Sequence, residues 1–199
     1  MGCDKSFRHG LDWFSATNTP SGFPAGAEGI QLGHKIIEGP TGREYRFVKF
    51  NLSGVSCKLG TPVALVSAFG VVTPDISDAK AASAADYIAS FAFGGIALCS
   101  HTPASGSTTY GWVMTKGPLG KLVNSKLSGV TVKTFISTTA SVTNGRMFSL
   151  RSTQDGFLAY QSTVGPTTAY RHMPNFVYYG AAVSAARKSV ASGMIHSIW

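Results

Sequence analysis

From Ile30 onward the chain is written as short apolar runs cut by turn residues. Ile30–Ile37, then Gly39-Pro40-Thr41-Gly42, then Glu44–Phe50 reads as strand, tight turn, strand. Within Tyr45-Arg46-Phe47-Val48-Lys49-Phe50 the alternation is imperfect, as in a strand covered on both faces. Pro62–Ala68 and Gly70–Thr73 form the next extended stretch. Tyr87–Phe93, Gly95–Cys99, Thr109–Lys116, Val130–Ile136, Met147–Leu150, Asn175–Val183 and Gly193–Trp199 continue the series. Thr143-Asn144-Gly145-Arg146 and Gln154-Asp155-Gly156-Phe157 have the composition of hairpin turns, and polar loops are expected at 102–107 and around Arg187-Lys188. One segment departs from the pattern. Residues 77–86 are rich in Ala behind Ser77, a competent N-cap, and are the best helix candidate, though they carry no apolar stripe. The expectation is an all-β protein: a β-sandwich or barrel-like core of short antiparallel strands, with at most one short helix near 77–86.

Residues 1–28 do not share this grammar. Pro20, Pro24 and the glycines at 10, 22 and 26 punctuate them too densely for a helix or a long strand. Yet Phe7, Leu11, Trp13, Phe14 and Phe23 are too apolar for a free tail. The segment reads as an extended N-terminal arm, laid either on a neighbouring surface or on its own domain, ahead of a β-domain at 29–199.

Composition narrows the function classes. Only 13% of the 199 residues are charged, and Gly is abundant, which favours strands and turns and allows a surface to pack on neighbours at low desolvation cost. The net charge of +8 comes from a shortage of acids, 17 basic against 9 acidic residues, with Lys and Arg scattered rather than clustered. That argues against a nucleic-acid tract and for an acidic partner surface. Cys3, Cys57 and Cys99 match no zinc or redox spacing; Cys57 and Cys99 sit in apolar contexts and are expected as buried thiols, in keeping with folding in a reducing cytoplasm. No apolar run reaches the length of a membrane span. Met1-Gly2-Cys3-Asp4-Lys5-Ser6 fits the short N-myristoylation template, with Cys3 as a palmitate acceptor, a pattern that chance also produces.

A search for catalytic chemistry returns little. The carboxylates fall mostly in turns, Asp75 after Pro74 and Asp155 before Gly156 among them. His9, His34, His101, His172 and His196 have no metal-ligand spacing and are expected as surface or half-buried strand residues. There is no nucleophile elbow and no phosphate loop; Gly117-Pro118-Leu119-Gly120 opens no helix and reads as turn or strand edge. Tyr178 with Tyr179, or Trp112 with Tyr110, offer the makings of a carbohydrate or base-stacking platform, although strand aromatics more often fill a core or an interface. No catalytic residue, cofactor or metal is expected.

Several of these runs resemble one family in order and spacing. Gly42-Arg43-Glu44-Tyr45-Arg46-Phe47-Val48-Lys49-Phe50 resembles the G-R-E-Y/F-R-Y-V/A-K strand near the start of many tailed-bacteriophage virion proteins. Gly94-Gly95-Ile96-Ala97-Leu98 followed by Tyr110-Gly111-Trp112-Val113-Met114-Thr115-Lys116-Gly117-Pro118 resembles the G-V-A … Y-G-W-V-Q-x-x-G hairpin of the same proteins. Tyr179-Gly180-Ala181-Ala182-Val183 and Gly193-Met194-Ile195 resemble their closing strands, with Ser184 where the pattern has an acidic residue. Together, over residues 30–199, the chain looks like a capsid decoration, or head cement, protein. That resemblance implies a virion component without enzymatic activity. It would be made in the host cytoplasm, bind the major capsid protein on the outer shell as a homo-oligomer, commonly a trimer, and brace adjacent capsomers; neither direct nucleic-acid contact nor a membrane is expected. Trp13, Phe14 and Phe23 on the arm, and Arg43, Arg46 and Lys49 on the strand, are then the candidate partner contacts. A coat subunit, a tail component, a receptor-binding protein and a hydrolase on a β-scaffold are the alternatives.

Overall fold

A computed structural model describes residues 32–39, 41–52, 54–67, 70–75, 93–98, 100–101, 109–121, 131–138, 142, 145, 147–150, 158–160, 176–180 and 187–196. The arm at 1–28 and the helix candidate at 77–86 lie outside these residues, as do Cys3 and Cys99.

The first hairpin follows the sequence closely. Strands β1 (Lys35–Glu38) and β2 (Arg43–Phe50) are antiparallel, in register from Lys35↔Arg46 to Glu38↔Arg43. Gly42, at φ +65°, turns the chain, and its N–H donates to the Glu38 carbonyl at 2.8 Å. The positive φ is one that glycine enters without steric cost.

β2 is also the first stave of a closed barrel. Its companions are β3 (Pro62–Ser67), β4 (Val71–Thr73), β5 (Phe93–Ala97) and β6 (Thr109–Pro118), and pairing runs β2–β4–β3–β5–β6 and back to β2. A ring with an odd number of strands cannot alternate direction all the way round, so at least one neighbouring pair must run parallel. Here that pair is β2–β4, with Lys49 beside Val71 and Phe50 beside Val72. The other four contacts are antiparallel. The stretch 62–73, expected as one extended run, is two antiparallel strands, because Gly70 at φ +82° belongs to a turn between them.

The remaining strands are β7 (Thr134–Thr138), β8 (Met147–Leu150), β9 (Leu158–Tyr160), β10 (Phe176–Tyr178), β11 (Arg187–Ala191) and β12 (Gly193–His196). They extend the sheet from β6 in the order β12–β10–β8–β9–β7–β11. β12 joins the C-terminal end of β6, with Met194 opposite Pro118 and His196 opposite Lys116. The segment around Arg187-Lys188, expected as a polar loop, is instead β11, paired antiparallel with β7 from Arg187↔Thr138 to Ala191↔Thr134. β11 has β7 as its one neighbour in the sheet order, and an edge strand accepts charged residues that an inner strand would not.

Strand alternation sorts the core in two. Val48, Phe50, Val63, Val72, Ala97 and Val113, drawn from every stave of the ring, pack with Leu52 and Cys57. This cluster uses only the ring and its 51–57 loop, as the lumen of a small closed barrel must. The alternate residues Tyr45, Phe47, Ala64, Ile96, Trp112 and Met114 join a larger cluster that runs on into the extension through Ile136, Phe148, Leu158, Phe176, Tyr178 and Ile195. β2 is therefore covered on both faces over Phe47–Phe50, as its broken alternation predicts. The described residues are all-β, a closed five-stranded barrel carrying extra strands.

Candidate interaction surface

Beyond the ring, β1 and the first half of β2 present one face outward. Directly opposed residues of an antiparallel pair share a face, so Lys35 and Arg46 stand together, as do Ile37 and Glu44. On the other side of β2, Lys116 of β6 pairs with Glu44. The Glu44 carboxylate accepts from Lys35 Nζ at 3.3 Å and lies 3.8 Å from Lys116 Nζ. Arg46 Nη1 donates to the Gly33 carbonyl at 3.1 Å. One carboxylate thus stands among three cations, and Ile37, 54% exposed, projects from the same face. Exposed ion pairs of this kind are worth about 0–1 kcal/mol, so the arrangement contributes little to folding.

The reverse face of the same hairpin is a buried polar hub. Arg43 Nε donates to the Pro118 carbonyl at 2.8 Å, and Nη1 donates to the Lys121 carbonyl at 2.9 Å and to Glu38 Oε2 at 3.4 Å. Glu38 Oε2 also accepts from the Tyr45 hydroxyl at 3.2 Å and from Thr41 Oγ1. All three of Glu38, Arg43 and Tyr45 are buried. Burial, reinforced by the Glu38 charge, pushes the Tyr45 phenol well above its ordinary range, so it remains a donor. Gly117, at φ +109°, seats the Arg43 stem: a Cβ there would lie 3.0 Å from both Arg43 Cα and Cγ. The Gly117-Pro118-Leu119-Gly120 segment is thus the cradle of a buried arginine. Through it the outward face is fixed to the ring.

A second buried polar pair sits at the ring. Cys57 and His101 form an isolated antiparallel bridge, and the His101 ring packs on Phe50 with centroids 4.2 Å apart. Desolvation raises the Cys57 thiol to about 12 and lowers the His101 imidazole to about 4. Both groups are held neutral, the reverse of the thiolate–imidazolium pair that nucleophilic chemistry requires. His101 is therefore a core residue, against the expectation of a surface or half-buried one, whereas Cys57 is the buried thiol expected. Among the described residues no group of three or more His, Cys, Asp or Glu could hold a metal ion.

The sequence-predicted contacts separate. Trp13, Phe14 and Phe23 lie outside the described residues. Arg43 is turned inward and its guanidinium is engaged within the fold, neither a solvated charge nor a surface presented to a partner. Arg46 lies on the outward face, and Lys49, half-buried, alternates to the side of Phe47. The aromatic platform does not form as expected: Trp112 is buried against Phe47 at 5.5 Å, Tyr110 stacks on Phe47 at 6.2 Å, and Tyr178 is buried, while Tyr179 is half exposed. Lys35, Ile37 and Lys116 were not singled out by sequence; the signal available was the alternation Lys35-Ile36-Ile37-Glu38 at a hairpin, whose two faces cannot be told apart without the partner strand.

The architecture defines the class to which the chain can be assigned, an all-β barrel with a sheet extension. Beyond that class, no family model matches the chain, and no curated protein or solved structure is significantly similar to it.

Proposed function

We propose that this protein is a structural virion component that binds the outer surface of a bacteriophage capsid and braces adjacent capsomers, acting as a homo-oligomer, a trimer by preference. The observation that carries the reading is the basic outward face of β1, β2 and β6, backed by the buried Glu38–Arg43 hub. Such a face costs little to desolvate, is held in one shape, and bears a charge excess suited to an acidic shell. The runs that resemble decoration proteins fall in β2, β5, β6 and β12, and β6 pairs with each of the other three, so the resemblance follows one contiguous piece of the fold. Repetition over symmetric sites would turn moderate contacts into firm attachment.

The test is direct. The isolated protein is mixed with mature shells, and bound copies are counted after sedimentation and located by electron microscopy. Saturable occupancy of the outer surface is expected; density confined to the tail, or none on the particle, would overturn the reading. A variant lacking residues 1–26 is expected to show weaker occupancy if the arm clasps the shell.

A further inference from the structure

The outward face of β1, β2 and β6 has a property that the fold itself does not call for. Lys35 and Arg46 stand directly opposite each other, and like charges so placed destabilise a strand pair. The single carboxylate between them and Lys116 is shared, at 3.3 and 3.8 Å, and cannot neutralise all three cations. Ile37, an apolar residue, is more than half exposed in their midst. Folding gains nothing from any of these choices, whereas a negatively charged partner would relieve the repulsion and cover the isoleucine.

We infer that this face is the docking surface for a carboxylate-rich protein surface, with Lys35, Arg46 and Lys116 meeting its acids and Ile37 seated among them. The inference rests on the reading of the chain as a surface-binding structural protein, and it names the face and the partner's chemistry. Charge complementarity selects a protein carboxylate surface over a nucleic acid: the cations flank an apolar contact and already hold a carboxylate, Glu44, in their midst, which would repel a phosphate backbone. The exposed cations also steer encounter, so binding weakens as salt rises.

The experiment uses the full chain and labelled poly-L-glutamate at low ionic strength, read by fluorescence anisotropy. Lys35→Glu with Lys116→Glu is expected to weaken binding by about tenfold or more. Lys58→Glu with Lys133→Glu, two exposed lysines elsewhere with the same change in net charge, is expected to leave it nearly unchanged. Equal losses in both variants, no loss in the first, or no binding by the parent chain would overturn the inference. Tighter binding of single-stranded DNA through Lys35 and Lys116 would overturn the carboxylate partner. Shell sedimentation separates this failure from that of the capsid reading. A parent chain that occupies shells, with unchanged occupancy for the Lys35→Glu/Lys116→Glu variant, removes the face and leaves the capsid role. A parent chain that ignores shells yet binds poly-L-glutamate through these lysines does the opposite. Ile37→Ser should lower shell occupancy while sparing poly-L-glutamate binding; unchanged occupancy would overturn the seating of Ile37.

Discussion

Cys57 and His101 exchange both backbone hydrogen bonds, Cys57 N–H to the His101 carbonyl at 2.9 Å and His101 N–H to the Cys57 carbonyl at 2.7 Å, and burial drives both side chains toward their uncharged forms. The pair therefore limits stability from two sides of neutrality. Below about pH 6.5 the unfolded chain protonates its histidine while the folded one resists until about pH 4, so the unfolded state binds more protons and stability falls as pH drops through that window. The loss reaches roughly 3 kcal/mol at full extent. Above pH 9 the unfolded thiol ionises while the folded one stays protonated to about 12, so stability falls again as pH rises. Urea midpoints measured from pH 4 to 11 should show a plateau between 6.5 and 9. Cys57→Ala should lower the plateau and move the alkaline onset above pH 10, where the Tyr45 phenol, also raised, takes over. An unchanged alkaline onset would show that the thiol is not the group responsible.

The Glu38–Arg43 pair makes a sharper demand on the fold. Arg43→Ala leaves the Glu38 carboxylate buried and removes the donors to the Pro118 and Lys121 carbonyls. Breaking a buried pair from one side typically costs about 3–5 kcal/mol. Glu38→Gln keeps the shape and most of the hydrogen bonds, and the loss should be smaller. Equilibrium denaturation of the two variants decides the order; equal losses would mean that charge alone, and not the carbonyl anchoring, holds the hairpin.

Two glycines separate backbone strain from crowding. Gly42 and Gly117 both have positive φ, yet a Cβ at Gly42 meets open space whereas one at Gly117 meets Arg43. Gly42→Ala should cost about 1 kcal/mol, the ordinary expense of a left-handed alanine. Gly117→Ala adds displacement of the Arg43 stem, and a loss larger by about 1–3 kcal/mol is expected. Comparable thermal midpoints for the two would remove the cradle from the account.

Trp112 is expected to behave as core. It is 2% exposed and packs on Phe47, so Trp112→Ala should destabilise by about 3–5 kcal/mol and lower every binding activity in proportion to the folded fraction. Tyr179→Ala, at an exposed position, should leave the denaturation midpoint within about 0.5 kcal/mol of the parent. The contrast is read from midpoints before any adsorption or occupancy measurement is interpreted.

Local pattern made much of this fold readable in advance. Gly39 to Gly42 marked the hairpin, and Tyr45 to Phe50 declared a strand with two buried faces. What escaped was set by distant partners. Arg43 looks solvated in its own strand; its carbonyl acceptors lie 75 and 78 positions away, and no local period reports them. β11 escaped because Arg187 and Lys188 outweigh their neighbours by composition, although an edge position tolerates them. His101 escaped because a bridge of a single residue pair leaves no periodicity. The outward face was legible only in part, through Arg46, since which side of a hairpin is covered depends on what lies behind it.

The odd ring sets an order of assembly. Its staves all fall between Arg43 and Pro118, so its closure through β2 and β6 requires nothing downstream. The extension has the opposite logic: it is anchored on β6 by β12, the last described strand in the chain. During synthesis the ring can close while the ribosome still holds the anchor, leaving the β12 edge of β6 exposed for an interval. Nonlocal β pairings of this kind form slowly, on the order of milliseconds to seconds. A nascent chain halted within that interval would present a finished barrel with one open seam, the form most prone to pair with another copy of itself.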